Sequence, residues 1–152
     1  MVLYRIAKTS FIRDLSGGGS RRYGGRWNPK GVEVIYTSEN RALAALELFV
    51  HLNRAVIPPN LSLASLKIPD KASKRELTLK ELPRKWRSFP APPDLAEIGA
   101  SWIRSNESLL LRVPSVIMPP EKNVLINPAH PEMIGVRIIE VEAYSFDKRL
   151  VQ

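Results

Sequence analysis

One carboxylate lies where the pattern around it is apolar. Glu47 falls within Ala42-Leu43-Ala44-Ala45-Leu46-Glu47-Leu48-Phe49-Val50, a run whose Ala and Leu content favours helix. On a helical wheel it shares a stripe with Leu43, Ala44 and Val50. A charge on such a stripe must be paired, protonated or open to a cavity, because burying it alone is costly. Two readings stand. Either this edge of the helix meets solvent, or the carboxylate sits at a dry wall opposite a developing positive charge.

A second group is Gly24-Gly25-Arg26-Trp27-Asn28-Pro29-Lys30-Gly31. Glycine lets backbone approach a ligand closely, and Arg26 offers a planar fork to phosphate or carboxylate. Trp27 would either stack on a flat ring or plug the core. No GK[ST] follows and no G-x-G-x-x-G opens a helix, so this is neither a Walker loop nor a dinucleotide fingerprint. Tyr36 ends a β-branched run, an ordinary place for a core aromatic. Ser115 is a lone hydroxyl in Val113-Pro114-Ser115-Val116, and without a G-x-S-x-G elbow it is no hydrolase nucleophile. His130, in Asn127-Pro128-Ala129-His130-Pro131, reads as a turn residue or a polar contact. His51 ends a helix, where it suits the dipole.

The elements that must carry these residues are legible from periodicity and breakers. Val2–Ala7 alternates like a strand, and Val32–Tyr36 is a second. Between them, six of the eight glycines fall in residues 15–31, which predicts a long functional loop. Ser38 is placed to cap a helix running from about Glu39 to His51, closed off before Pro58-Pro59. Leu61–Ile68 reads as strand, Thr78–Leu82 as a short helix, and Asp94–Ser105 as a helix with Leu95, Ile98, Trp102 and Ile103 on one side. Leu109–Val113 and Ser115–Met118 read as strand around Pro114, and Val124–Ile126 and Val136–Phe146 as further strands. This is an α+β pattern with two main helices and no linker dividing it.

The chain has 152 residues, 23 Lys/Arg against 15 Asp/Glu, no cysteine and two histidines. That length suits one domain. Absence of cysteine excludes disulfides and thiolate chemistry, and a zinc site is not expected. No run is long and apolar enough to span a membrane and no signal peptide is evident, so the expected location is cytoplasmic. The net charge of +8 is uneven: residues 1–31 hold seven basic side chains and one acid, residues 67–88 eight and three. Such a surface attracts phosphate-bearing ligands, nucleic acid or an acidic partner alike. A non-catalytic nucleic-acid-binding module is therefore the rival reading, with Arg21, Arg22, Arg26 and segment 67–88 on phosphates and Trp27 on a base. It leaves Glu47 unexplained.

Taken in order, Tyr4-Arg5-Ile6, Gly24 to Asn28 with Gly31, Val34-Ile35-Tyr36, Ala44-Ala45-Leu46-Glu47, Trp102, Val113-Pro114-Ser115 and Asn123 through Asn127-Pro128 to His130-Pro131 resemble the RES-domain toxins of bacterial toxin–antitoxin pairs. The resemblance runs almost end to end and implies one RES domain over residues 1–152. It implies an ADP-ribosyltransferase-like fold, mixed sheets with flanking helices around a central NAD cleft. It implies NAD as substrate, degraded at the nicotinamide–ribose bond by hydrolysis or phosphorolysis, with protein ADP-ribosylation as the alternative. Arg26, Tyr36, Glu47 and Ser115 would be catalytic, and Arg5, Arg26, Trp27, Asn28, Tyr36 and Asn127 would bind NAD. Arg5 and Arg26 are both candidates to face Glu47. The implied partner is an Xre-type antitoxin that blocks the site in a hetero-oligomer, with DNA contacted only through that antitoxin.

Overall fold

The computed structural model describes residues 1–152. Seven strands form one mixed sheet: β1 Val2–Lys8, β2 Ile35–Ser38, β3 Leu61–Lys67, β4 Lys74–Glu76, β5 Leu110–Pro114, β6 Lys122–Ile126 and β7 Arg137–Tyr144. Their spatial order is β4-β5-β6-β2-β1-β3-β7, and every neighbouring pair is antiparallel except β4 with β5. Three α-helices flank the sheet: α1 Gly18–Tyr23, α2 Arg41–His51 and α3 Pro93–Ser105. The α+β class is as expected.

The sheet is really two ladders. On one side β1 pairs with β3 through seven residue pairs from Val2↔Lys67 to Lys8↔Leu61. On the other, β2 pairs with β6 from Ile35↔Ile126 to Ser38↔Asn123. Between them β1 and β2 share the single rung Tyr4↔Ser38. Alternation along each strand sends Leu3, Ala64 and Leu66 from one ladder, and Ile35, Leu110, Val124 and Ile126 from the other, into one core. The opposite face of β5 and β6 contributes Leu111, Val113 and Leu125 to a second core with Trp27, Val34, Leu95 and Trp102, closed by α3. Burying each of these large side chains contributes about 1.5–3 kcal/mol.

Several boundaries differ from the sequence reading for physical reasons. α2 starts at Arg41, and Asn40 rather than Ser38 is its cap, its side chain accepting from the Leu43 amide at 2.7 Å. The expected loop over residues 15–31 contains α1, despite two glycines in that helix. It is stapled from outside: the Asn28 amide donates to the carbonyls of Ser20, Pro29 and Val32 at 2.8, 3.2 and 3.0 Å. Ser115–Met118 is a turn and not strand, because the Ser115 hydroxyl accepts the amides of Ile117 and Met118 at 3.2 and 3.1 Å. The basic segment hides β4, whose ladder partner is β5. Thr78–Leu82 becomes a short 3-10 turn over Leu79–Glu81.

Candidate active site

The site is built where α2 crosses the face of the sheet opposite the first core. Cross-strand pairing aligns Val113, Asn123, Ser38 and Tyr4 in one row over β5, β6, β2 and β1. α2 lies along this row. Near its start the Arg41 guanidinium stacks on the Tyr4 ring at 4.4 Å. Two turns later Glu47 reaches the other end of the row.

There one oxygen of Glu47, Oε1, accepts two hydrogen bonds. The Ser115 hydroxyl donates at 2.7 Å and the Asn123 amide Nδ2 at 2.6 Å. Asn123 is in turn held by Ser38, whose hydroxyl donates to its Oδ1 at 2.6 Å. Charge-assisted bonds of this length are strong. Oε2 carries no protein partner, and the Glu47 side chain is half-buried. Of the two readings of Glu47, the solvent-facing edge is thus replaced by a carboxylate fixed at one oxygen and free at the other.

Arg26 stands across from it. Its guanidinium is half-buried and donates to the Trp86 carbonyl at 2.9 Å and to the Ser88 carbonyl at 3.2 and 3.3 Å. Three of its five N–H donors are thereby used and two are spare. Burial lowers its pKa, and the charge of Glu47 pushes it back up. The two groups are within electrostatic range without forming an ion pair. Segment 83–90 is tied to the same place a second time, since Arg87 Nε donates to the Val116 carbonyl at 3.1 Å, next to Ser115.

Tyr36 joins the Arg26 loop to the sheet. Its hydroxyl donates to Asn28 Oδ1 at 2.6 Å and accepts the Trp27 amide at 3.1 Å. Burial raises its pKa far above the ordinary phenol range, so the ring is neutral at any physiological pH. Gly25 is required here: a Cβ on it would lie 2.7 Å from the Tyr36 hydroxyl oxygen.

The remaining expected NAD contacts lie elsewhere or inside. Trp27 is 3% exposed and packed in the second core, which decides its two readings for the plug: no ring face is open to stack on a ligand. Asn28 is buried and fully used as the loop staple. Asn127 is buried at the other end of β6, about 13 Å of strand from Asn123. It donates to Asn106 at 3.0 Å and accepts the Ala129 amide. Arg5 shares the β1 face of Leu3 and Ala7, opposite Tyr4, and binds the carbonyls of Asp14 and Phe11 at 2.5 and 3.2 Å. Burial lowers its pKa and Asp14 opposes that. Of the two candidate arginines, Arg26 is the one that feels the charge of Glu47, whereas Arg5 feels that of Asp14. His130 serves its turn, its Nδ1 accepting the Glu132 amide at 3.2 Å.

Ser38 and Asn123 were not singled out as site residues by sequence reasoning. Ser38 reads as a helix cap, and Asn123 lies just before the expected strand Val124–Ile126, named only within the stretch that carries the resemblance. Only the register Ser38↔Asn123 brings them together.

Comparison with known proteins finds likeness over nearly the whole chain. The RES domain family matches residues 2–147. A protein of Sphingobium sp. (strain YBL2) named Prs ADP-ribosylating toxin is 42% identical over 148 residues, covering 96% of this chain and 92% of its own. A Toxin Res of Yersinia enterocolitica is 36% identical over 152 residues, 99% of either chain. Among solved structures, a chain from the M. tuberculosis MbcT-MbcA toxin-antitoxin complex superposes with a TM-score of 0.78 at 16% identity, over 95% of this chain and 84% of that one. At that identity the likeness is one of fold. No helix is long and apolar enough to cross a membrane.

Proposed function

The chain belongs to the RES domain family, and on that premise we propose that it is the toxin of a toxin–antitoxin pair, acting by cleavage of the nicotinamide–ribose bond of NAD. The observation that carries this reading is the state of Glu47: Oε1 is held by Ser115 and Asn123, Oε2 has no hydrogen-bond partner, and Arg26 lies within range of its charge.

As nicotinamide departs, positive charge develops on the ribose in an oxocarbenium-like transition state. The free Oε2 of a carboxylate fixed through Oε1 would stabilise that charge without reorganising, and it can accept a hydrogen bond from a ribose hydroxyl. The two spare N–H groups of Arg26 suit a ribose oxygen or the pyrophosphate. Tyr36 has its hydroxyl committed, so its contribution to NAD is the ring, an apolar platform for nicotinamide. Ser115 acts as a donor to Glu47 and not as a nucleophile: its hydrogen points at a carboxylate and its lone pairs take two amides. Trp27 and Asn28 serve by bracing the loop that carries Arg26, Asn127 by tying Asn106 and Ala129 at the far end of β6, and Arg5 by holding residues 11–14.

The acceptor of the ADP-ribose is water or phosphate in the simplest reaction. A protein acceptor is favoured by a specific observation, the name of the Sphingobium relative, which says that it ADP-ribosylates Prs. Purified protein incubated with NAD should release nicotinamide. Glu47→Ala and Arg26→Ala should each reduce that release by about 10²- to 10³-fold, far more than the modest drop in melting temperature that unpairing their hydrogen-bond partners brings. Release at the unsubstituted rate by Glu47→Ala would overturn the reading. Products with and without phosphate, and label transferred from NAD to added protein, separate the three acceptors. The partner would be an Xre-type antitoxin that covers the site, consistent with the assembly named for the structural neighbour. Co-expression with the adjacent gene should relieve growth arrest.

A further inference from the structure

We infer that Asn123, locked by Ser38, is the positioning residue that aims Glu47. This deepens the reading above and rests on it. The side-chain amide of Asn123 has one accepting and one donating end. Its Oδ1 receives the Ser38 hydroxyl at 2.6 Å and its Nδ2 donates to Glu47 Oε1 at 2.6 Å. Turned over, the amide would present an oxygen to a carboxylate, acceptor against acceptor, and only a carboxylate-facing NH₂ satisfies both neighbours. Ser38 is 3% exposed, so no bulk water competes for that amide oxygen.

The second donor is as constrained as the first. Ser115 is fully buried and its oxygen accepts two backbone amides, which leaves its hydrogen a single direction, toward the same Oε1. Two fixed donors on one oxygen set the rotation of the carboxylate and turn Oε2 outward. They come from different parts of the sheet, Asn123 from β6 and Ser115 from the turn after β5, joined by the pairing of Val113 with Asn123. Glu47 itself comes from α2 and has no other side-chain tie to the sheet. Without Asn123 the carboxylate would hang on Ser115 alone and could rotate about that bond. The Ser38 hydroxyl donates to Asn123 and makes no hydrogen bond to Glu47, so its polar effect on the carboxylate passes through Asn123.

The test separates aiming from folding. Asn123→Ala should lower kcat for nicotinamide release by about 10²-fold, as expected for a reacting group displaced by about an ångström, with KM for NAD nearly unchanged. Ser38→Ala should lower kcat about tenfold, and Ser38→Thr, which restores the hydroxyl, should recover most of it. A merely structural role would lower the melting temperature and the active fraction of both variants without this rescue. A fall in kcat of less than twofold in Asn123→Ala, or Ser38→Thr no better than Ser38→Ala, would overturn the inference. An arm without turnover keeps it distinct from the reaction assigned above. In ¹⁵N spectra the Asn123 side-chain NH₂ should show one downfield, slowly exchanging proton that moves in Glu47→Gln and is lost in Ser38→Ala. Such a signal without nicotinamide release would leave the positioning standing and strike the assigned reaction. Its absence from the unsubstituted protein would strike the positioning.

Discussion

Tyr36 shows how much one side chain can hold. Its hydroxyl satisfies the Trp27 amide and the side-chain Oδ1 of Asn28 together, and Asn28 in turn staples α1. Tyr36→Phe leaves both groups unpaired at a cost of about 1–3 kcal/mol, which a thermal melt should register as a loss of several degrees. The ring is kept, so nicotinamide release should fall less than in Glu47→Ala. At this scale the sequence is only partly readable. Glu47 is conspicuous because a charge breaks an apolar helical stripe, and Ser115 because it interrupts an apolar run. Asn123 and Ser38 carry no such mark: each is an ordinary polar residue at a strand end. What joins them is a register, and register is a property of pairing that no local pattern displays.

Among elements, α3 and the Arg26 loop are pressed together at one glycine. A Cβ at Gly99 would lie 1.7 Å from the Trp27 carbonyl oxygen. Gly99→Ala must therefore move the helix from the loop. It should cost at least the ~1–3 kcal/mol of overpacking, and the melting temperature should drop accordingly. Because Trp27 adjoins Arg26, nicotinamide release should fall more steeply than stability does. α2 and α3 were readable from their 3.6-residue spacing, and most strands from alternation. The misreadings share a cause, bonds made from outside the segment. α1 forms in a glycine-rich stretch because Asn28 holds it, and β4 forms in a charged stretch because β5 supplies its ladder. Ser115–Met118 fails as strand because a side chain takes the amides a ladder would need.

Across the whole molecule, acid sensitivity has a definite sign. Glu132 Oε2 accepts the Ser73 amide and hydroxyl, each at 2.8 Å, and the Ser73 hydroxyl also receives the Leu109 amide at 2.9 Å. These bonds hold the Glu132 carboxyl below its ordinary value of 4.5. A depressed carboxylate contributes its stability above the unfolded value, and the contribution is lost as pH falls through the lower folded one. Melting temperature should thus decline below about pH 4.5, and Glu132→Gln should flatten that part of the profile. A Gln variant with an unchanged acid limb would remove Glu132 from the account. The basic surface is also only partly free: Arg75 pairs with Glu107 and Glu81, and Arg112 with Glu39 and Glu76, whereas Lys71, Lys80, Arg84 and Lys85 extend into solvent.

The lone rung between Tyr4 and Ser38 makes the two ladders a jointed plate, with its crease beneath α2. Ser38 belongs both to that crease and to the chain of bonds ending at Glu47. The seven-rung ladder of β1 and β3 can stay zipped while this joint yields. Spreading the plate along this crease should pull Asn123 and Ser38 away from α2 while the β1–β3 ladder keeps its register, so the aim of the carboxylate depends on the angle of a fold line.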